Sequence, residues 1–177
     1  MENCNDIQLR ESIHKNFVNL QDIIKFAETK NAAVLASSGA VITLVFDKIC
    51  FNNFVQIIFA SGYILVVIAL ITAFWSFIPI THPDKLKAKI RSLSNNAYKN
   101  LFLYSDIASF DTFERFESEI KEKYYKSQEI SILEKDVLNQ IYTNAFIVCR
   151  KLYFFRLALF VFLLGSFLIA LFGPLKK

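Results

Sequence analysis

The side chains best suited to metal binding or nucleophilic catalysis in this sequence are three thiols, Cys4, Cys50 and Cys149, and two imidazoles, His14 and His82. They are scattered. No CxxC is present, no His stands at ligand spacing from a Cys, and neither His accompanies a GxSxG, an HExxH or a glycine-rich phosphate loop. The pattern argues against a metal site, a disulfide framework and an enzyme, and it calls for no cofactor. What remains is the chemistry of charge at a boundary. Lys25, Glu28 and Lys30 run straight into the charge-free stretch Asn31–Phe46 with no Pro or Gly at the change, and Arg150, Lys151 and Arg156 lead into the charge-free stretch Leu157–Leu175. A third basic cluster, "KLKAKIR" (Lys85–Arg91), follows the charge-free stretch Ile49–Pro83. Such a cluster either anchors one face of a membrane protein to anionic headgroups or meets an anionic ligand.

The elements that carry these charges belong in a membrane. Hydrophobic residues make up 54% of 177 positions, with 19 Phe and only 4 Gly, more than an ordinary soluble domain buries. A helix needs about 20 apolar residues to cross a hydrocarbon core roughly 30 Å thick. The three charge-free stretches therefore predict spans near Asn31–Phe46, Phe54–Ile80 and Tyr153–Phe172, the first of them short. About 30 residues of mixed charge precede the first, without the adjoining basic region of a secretory signal, so the N-terminus is expected in the mature protein. The loop Asp47–Asn53 holds one basic residue, Lys48, and His82–Leu152 holds 12. By the positive-inside rule the N-terminus and this central segment are cytoplasmic; Lys176 and Lys177 weigh mildly the other way. The 12 are matched by 10 acidic residues, so no nucleic-acid polymer is expected as a partner.

Before the first span, Ile13, Phe17, Leu20, Ile24 and Ala27 alternate at spacings of four and three, one apolar seam on a helix. Leu138, Ile141, Ala145, Val148, Leu152 and Phe155 repeat the pattern into the third span. Two long helices side by side would form a stalk, either a plain coiled-coil seam or a lever that transmits a signal. Between them, "THPDKLKAKIRSLSNNAYKNL" reads as a helix opened by Thr81 with Pro83 in its first turn. "FLYSDIASF" interrupts it, and "DTFERFESEIKEKYY" restarts a helix with Asp111 and Glu114 at capping-box positions. A core this thin favours docking on the stalk or on other subunits. In the first span Ala32, Ala36 and Ala40 lie four apart, beside Ala33, Ser37, Ser38 and Gly39. Such a face suits close helix contact. Ser61, Gly62, Gly165 and Ser166 are candidates to receive it within the subunit. The other reading is an oligomer interface, or a polar lining with Ser37, Thr43, Asn52, Asn53 and Gln56. No charge stands mid-span, which argues against ion-coupled transport.

The expected fold is thus an all-α membrane protein: three transmembrane helices and a small helical cytoplasmic domain, with long helices continuous from cytoplasm into membrane. Its parts are a cytoplasmic amphipathic helix (1–30), transmembrane helices 1 and 2 (31–80), the cytoplasmic helical domain (81–152), and transmembrane helix 3 with its tail (153–177).

Four features in this order, "FAETKNAAVLASSGA" at the first membrane entry, Pro79 and Pro83 after the second span, "NLFLYSDIASF", and "QIYTNAFIVCRKLYFFR" before the third, resemble the Pycsar-type transmembrane effectors of bacteria. The likeness runs from about residue 18 to residue 172. Phe26, Ala27, Lys30 and Gly39 fit the first motif, with Glu28 where the family leads one to expect Asp. Asn100, Leu101, Tyr104, Asp106 and Ile107 fit the second, and Gln140, Ile141, Tyr142, Lys151 and Arg156 the third. The resemblance implies antiphage defence at the inner membrane. A partner cyclase makes a cyclic pyrimidine mononucleotide, cyclic CMP or cyclic UMP, and the effector responds by impairing the membrane through depolarisation or a pore, in abortive infection.

On that reading Glu28 and Lys30 on one helix and Arg150 and Lys151 on the other sit at one depth and could form a charge cluster that an anion loosens. The plainer reading makes them interfacial anchors. Phe102, Tyr104, Tyr124, Tyr125 and Tyr142 could stack a base, and Lys99, Lys123 and Arg150 could hold a phosphate, although 15% aromatic content makes such neighbours common. No alternation of strands suggests a cyclic-nucleotide-binding β-roll. The candidate ligand or gating residues are Glu28, Lys30, Asn100, Tyr104, Tyr142, Arg150 and Lys151; the candidate helix interface is Ala36, Ser37, Gly39 and Ala40. A homo-oligomer in membrane lipid is expected. The alternative function is a non-enzymatic anchor or scaffold for a soluble partner, and a neighbouring cyclase gene would separate the two.

Overall fold

The structure is a computed structural model that describes residues 4–48, 54–78, 99–125 and 130–172. Among these no residue is in a strand. The elements are α1 (Cys4–Val45), closed by a tight turn at Phe46–Lys48, α2 (Phe54–Trp75), α3 (Tyr104–Ile107), α4 (Phe113–Ile120) with a widened turn at Lys121–Tyr125, and α5 (Ile132–Phe172). Both long helices are unbroken, 42 and 41 residues, about 60 Å each at 1.5 Å per residue. Of the described helices, α2 and α5 are long and apolar enough to cross a membrane. The helix expected from Thr81, the basic cluster Lys85–Arg91, and Asn52 and Asn53 lie outside the described residues.

The chain divides into two compact units, Met1–Lys25 with Ile80–Arg150, and Phe26–Pro79 with Lys151–Lys177. In the first, the seam residues Ile13 and Leu20 of α1 are buried, as are Leu138, Ile141, Ala145 and Val148 of α5. Arg10 Nε donates to Glu134 Oε1 at 2.8 Å and ties the two helices together. Leu101, Ile107, Phe110, Phe116 and Ile120, from the segment that holds α3 and α4, are buried as well. Its aromatic members Phe110 and Phe116 meet at 5.6 Å, and the cluster extends onto α5. Phe116 stacks on Tyr142 of α5 with centroids 5.9 Å apart, Phe146 meets Tyr142 edge-on at 5.0 Å, and the Tyr142 hydroxyl donates to the Phe110 carbonyl at 3.1 Å. A segment too small for its own core therefore completes it on α5.

Local signals place the helix starts. At α4 the N-cap is Thr112, whose Oγ1 accepts the Arg115 N–H at 3.3 Å. This corrects the expectation of Asp111 by one residue: Asp111 instead receives the Arg115 guanidinium at 3.3 Å. At α5, Ser131 and Glu134 form a reciprocal capping box. The Glu134 carboxylate accepts the Ser131 N–H at 2.9 Å, and Ser131 Oγ accepts the Glu134 N–H at 3.3 Å.

In the second unit α1 and α5 run parallel, with Glu28 beside Lys151 and Val34 clustered with Ala158; α2 runs antiparallel, with Ala73 in that cluster and Gly62 against Gly165. A Cβ on Gly62 would stand 2.9 Å from the Gly165 carbonyl oxygen, and one on Gly165 would stand 2.8 Å from that of Gly62. Backbone meets backbone there, and only glycine fits. The expected reception of the α1 small-residue face by Gly62 and Gly165 is replaced by this mutual contact. Ile64, Ile68 and Ile71 of α2 and Phe160, Leu163 and Phe167 of α5 point outward.

Two outcomes follow from these contacts. Gly62→Ala or Gly165→Ala should force α2 and α5 apart and destabilise the chain by about 1–3 kcal/mol, read as a lowered thermal midpoint in detergent, whereas Gly39→Ala, with nothing within 4 Å of its Cβ position, should be silent. For Glu134, burial alone would raise the pKa, but hydrogen bonds from the Ser131 hydroxyl and N–H, with Arg10, outweigh it and hold the carboxyl below its ordinary value. A depressed folded pKa contributes stability that is present above the unfolded value, about 4.3, and is lost as pH falls through the folded one. Glu134→Gln should therefore lower the thermal midpoint at pH 7, and the gap to the native chain should close as pH is taken below about 4.

Candidate functional site

Opposite charges meet across helices at the start of the second unit. Lys151 Nζ donates to Glu28 Oε1 at 2.9 Å; the lysine side chain is 11% exposed and the glutamate 46%. Two helical facts bring them together. Glu28 flanks the buried stripe of α1, one residue past Ala27, and Lys151 continues that of α5, three past Val148 and itself buried. The ammonium also stands 5.7 Å from the ring centroid of Phe77, just past the end of α2, a favourable approach of cation to ring face. One lysine thus bears on α1, on α5 and on the turn after α2.

Asn31, one helical turn beyond Ala27, is fully buried. Its Nδ2 donates to the Ala27 carbonyl at 2.9 Å and to the Lys151 carbonyl at 3.3 Å, while its Oδ1 has no partner. Lys30 is directed elsewhere: its Nζ lies 4.1 Å from the Phe26 centroid and 5.2 Å from that of Phe155. Within this unit the expected cluster is therefore a Glu28–Lys151 ion pair with Lys30 held on aromatic faces.

The other candidates lie in the first unit. Arg150 is buried there. Asn100 builds a turn: its Oδ1 accepts the Phe102 N–H at 3.0 Å, and its own N–H donates to the buried Asp106 carboxylate at 2.9 Å. Tyr142 is buried in the aromatic core with its hydroxyl engaged on Phe110. Tyr104 opens α3, and its carbonyl is 3.9 Å from the Cys149 thiol. Burial pushes that thiol up to about 11, which makes it a structural cysteine and not a reactive one. Of the proposed stacking residues, Phe102 and Tyr124 meet edge-on at 5.6 Å, with Lys123 Nζ 6.0 Å from the Tyr124 centroid; Lys99 lies over Phe110 at 4.2 Å. Phe110, under Lys99, is also the residue whose carbonyl accepts the Tyr142 hydroxyl.

On α1, Ala36, Ser37 and Ala40 are exposed and Gly39 is half-buried with open space at its Cβ position. Sequence reasoning missed the buried polar residues of this unit, Asn31, Ser38 and Ser76. A signal existed for two of them. The four-three seam of Ile13 to Ala27 continues through Asn31, Val34, Ser38 and Val45, all buried, and was hidden by reading polar residues as surface.

The model of the Pycsar effector protein domain matches residues 13–175, nearly the whole chain. The chain belongs to the Pycsar effector family. No curated protein and no solved structure matches it. As a Pycsar effector it is an antiphage defence protein with a transmembrane domain, in a family of effectors not known as enzymes. Helices α2 and α5 give that domain its membrane-crossing length and place the effector at a membrane.

Double-mutant analysis of the ion pair in this Pycsar effector should give a coupling of about 1 kcal/mol between Glu28→Gln and Lys151→Met, measured from thermal unfolding in detergent. Glu28→Ala alone should destabilise more than Lys151→Met, because it leaves a nearly buried ammonium without its counter-charge.

Proposed function

We propose that this Pycsar effector crosses the bacterial inner membrane three times and impairs it, by depolarisation or pore formation, when a partner cyclase makes a cyclic pyrimidine mononucleotide on infection. The third crossing is the part of α1 beyond Lys30, and the N-terminus and central segment face the cytoplasm, as the 12 basic residues of His82–Leu152 favour. Homo-oligomers form through the exposed Ala36–Ser37–Ala40 face of α1, which is narrow enough for another helix to approach closely.

The observation that carries the reading is the Glu28–Lys151 pair standing directly before the charge-free stretch Asn31–Phe46 of α1. A cation that ties α1 to α5 there is a point where an incoming anion acts with leverage. A nucleotide phosphate that takes Lys151 releases Glu28, half-exposed already, to water. The outward Ile, Leu and Phe side chains of α2 and α5 suit acyl chains and support the membrane setting.

The test is a voltage-sensitive dye in bacteria expressing the chain with a cytidylate or uridylate cyclase. Depolarisation is expected only when cyclic CMP or cyclic UMP is made, and Lys151→Ala at equal expression should shift the response at least several-fold. A steady potential under both nucleotides, with the protein inserted, would overturn the effector reading in favour of a membrane scaffold; an unchanged response of Lys151→Ala would remove the ion pair from the gating step.

A further inference from the structure

The interior of the second unit is made of unusual material. Many of its large apolar side chains point outward, and beside Phe59 and the partly buried Leu35, Phe155, Leu159 and Phe162 its buried faces carry Val66, Ala69, Ala73 and Ser76 on α2 and the turn after it, Asn31, Val34 and Ser38 on α1, and Ala158 on α5. Small residues permit close packing in lipid, so the alanines need no further explanation. The polar atoms do. Asn31 Oδ1, Ser38 Oγ and Ser76 Oγ are buried with no hydrogen-bond partner, on residues no more than 1% exposed, and Ser166 of α5, itself half-buried, keeps its Oγ buried and without a partner as well.

Hydroxyls in lipid have a simple escape, which this chain uses elsewhere: donation to a carbonyl of their own helix. Thr43 donates to Ala40 at 2.9 Å, Ser61 to Ile58 at 2.7 Å and Thr72 to Ile68 at 2.7 Å. Those three are exposed. The buried serines do not take that route, although a buried polar group without a partner is the more expensive case, about 1–3 kcal/mol each. An interior selected only for packing would hold Ala or Val at these positions.

The unpartnered atoms are also spread in depth. Asn31 and Ser76 mark one end, since Asn31 bonds the Lys151 carbonyl and Phe77, next to Ser76, carries the Lys151 ammonium over its ring. Ser38 lies about 10 Å further along α1, and Ser166 about 22 Å beyond Lys151 along α5, at 1.5 Å per residue. They span most of a hydrocarbon core of roughly 30 Å.

The geometry points to Asn31, Ser38, Ser76 and Ser166 as the lining of a path for water and small ions, closed in this arrangement and opened when α1 parts from α2 and α5. The inference rests on the proposed membrane-impairing function and on the third crossing, and it names the route. The lining carries no formal charge, so the leak discriminates weakly between small monovalent ions. Glu28 and Lys151 stand at its entrance, and the rupture of that pair is the step that admits water.

The test places single cysteines in the full chain, Ser38→Cys and Ser76→Cys, with the outward Ile71→Cys as the lipid-facing control. Each is exposed in cells to a membrane-impermeant methanethiosulfonate and read by site-resolved mass spectrometry against the native chain, with and without cyclic CMP or cyclic UMP from a co-expressed cyclase. The expected result is labelling of Ser38→Cys and Ser76→Cys at least several-fold above the resting level when the potential collapses, with Ile71→Cys unlabelled throughout. Ser38→Leu, which removes the polar atom without adding charge, should slow the collapse about tenfold at equal expression. If the native chain collapses the potential while both cysteines stay unlabelled, the lining is wrong and the effector function stands. If the native chain holds the potential under both nucleotides, the effector function falls. Labelling of Ser38→Cys in reconstituted liposomes, in a chain whose entrance pair is broken by Glu28→Gln and Lys151→Met, then decides the lining alone: modification supports it, and none overturns it.

Discussion

Hydrocarbon offers large apolar side chains no reason to turn inward, and the second unit is built around that constraint. Ile64, Ile68 and Ile71 of α2 and Phe160, Leu163 and Phe167 of α5 face out, and close contact between helices falls to whatever lets backbones approach. Gly62 and Gly165 meet carbonyl to Cα with no room for a methyl group. The Val34–Ala73–Ala158 cluster suits the same closeness, with the larger Leu35, Phe155, Leu159 and Phe162 packed around it.

The first unit obeys the opposite rule. There Leu20, Leu138, Ile141 and Phe116 are buried, and their removal from water is the stabilising term, roughly 1.5–3 kcal/mol for each large side chain. Helices α1 and α5 contribute to both units without a break, so each carries one stripe whose chemistry changes along its length, from Ile13 and Leu20 to Asn31 and Ser38. A helix satisfies its own backbone in either solvent, which is why no Pro or Gly is needed at the change. The charges Glu28, Lys30 and Lys151 are placed where neither rule applies cleanly. A lysine there keeps its stem among apolar groups and its ammonium on a carboxylate or a ring face.

Much of this was legible in the sequence because it is periodic. The four-three spacing of Ile13 to Ala27 and of Leu138 to Val148 predicted two long helices and their buried stripes, whereas Tyr142, expected as a base-stacking residue, is found in the aromatic core. The α5 start was marked by Ser131 and Glu134, a capping-box spacing that passed unread, and the α4 start was placed one residue early, at Asp111, because Asp and Thr are near-equal caps and only the structure shows Asp111 engaged by Arg115. The Gly62–Gly165 contact was out of reach for a different reason. Both glycines were singled out, but a helix has several faces, and nothing local says that two small residues 103 positions apart choose each other over the alanines of α1.

The charge at the membrane entry shows the same division. That Glu28 and Lys151 share a depth could be read from their distance to the charge-free stretches, but that Lys30 turns away to Phe26 and Phe155 could not, since both lysines have the reach. The consequence is chemical. With Lys30 on ring faces, a single carboxylate and a single ammonium tie α1 to α5 at this level, and the ammonium is the more buried of the two. An ion pair of that asymmetry is easily opened from the glutamate side, where water already competes, and strongly resisted from the lysine side, where the loss of its partner strands a charge. Any agent that replaces Glu28 as the counter-charge of Lys151 removes that resistance without stranding the lysine, and an anion small enough to reach Lys151 from the half-exposed edge meets the requirement.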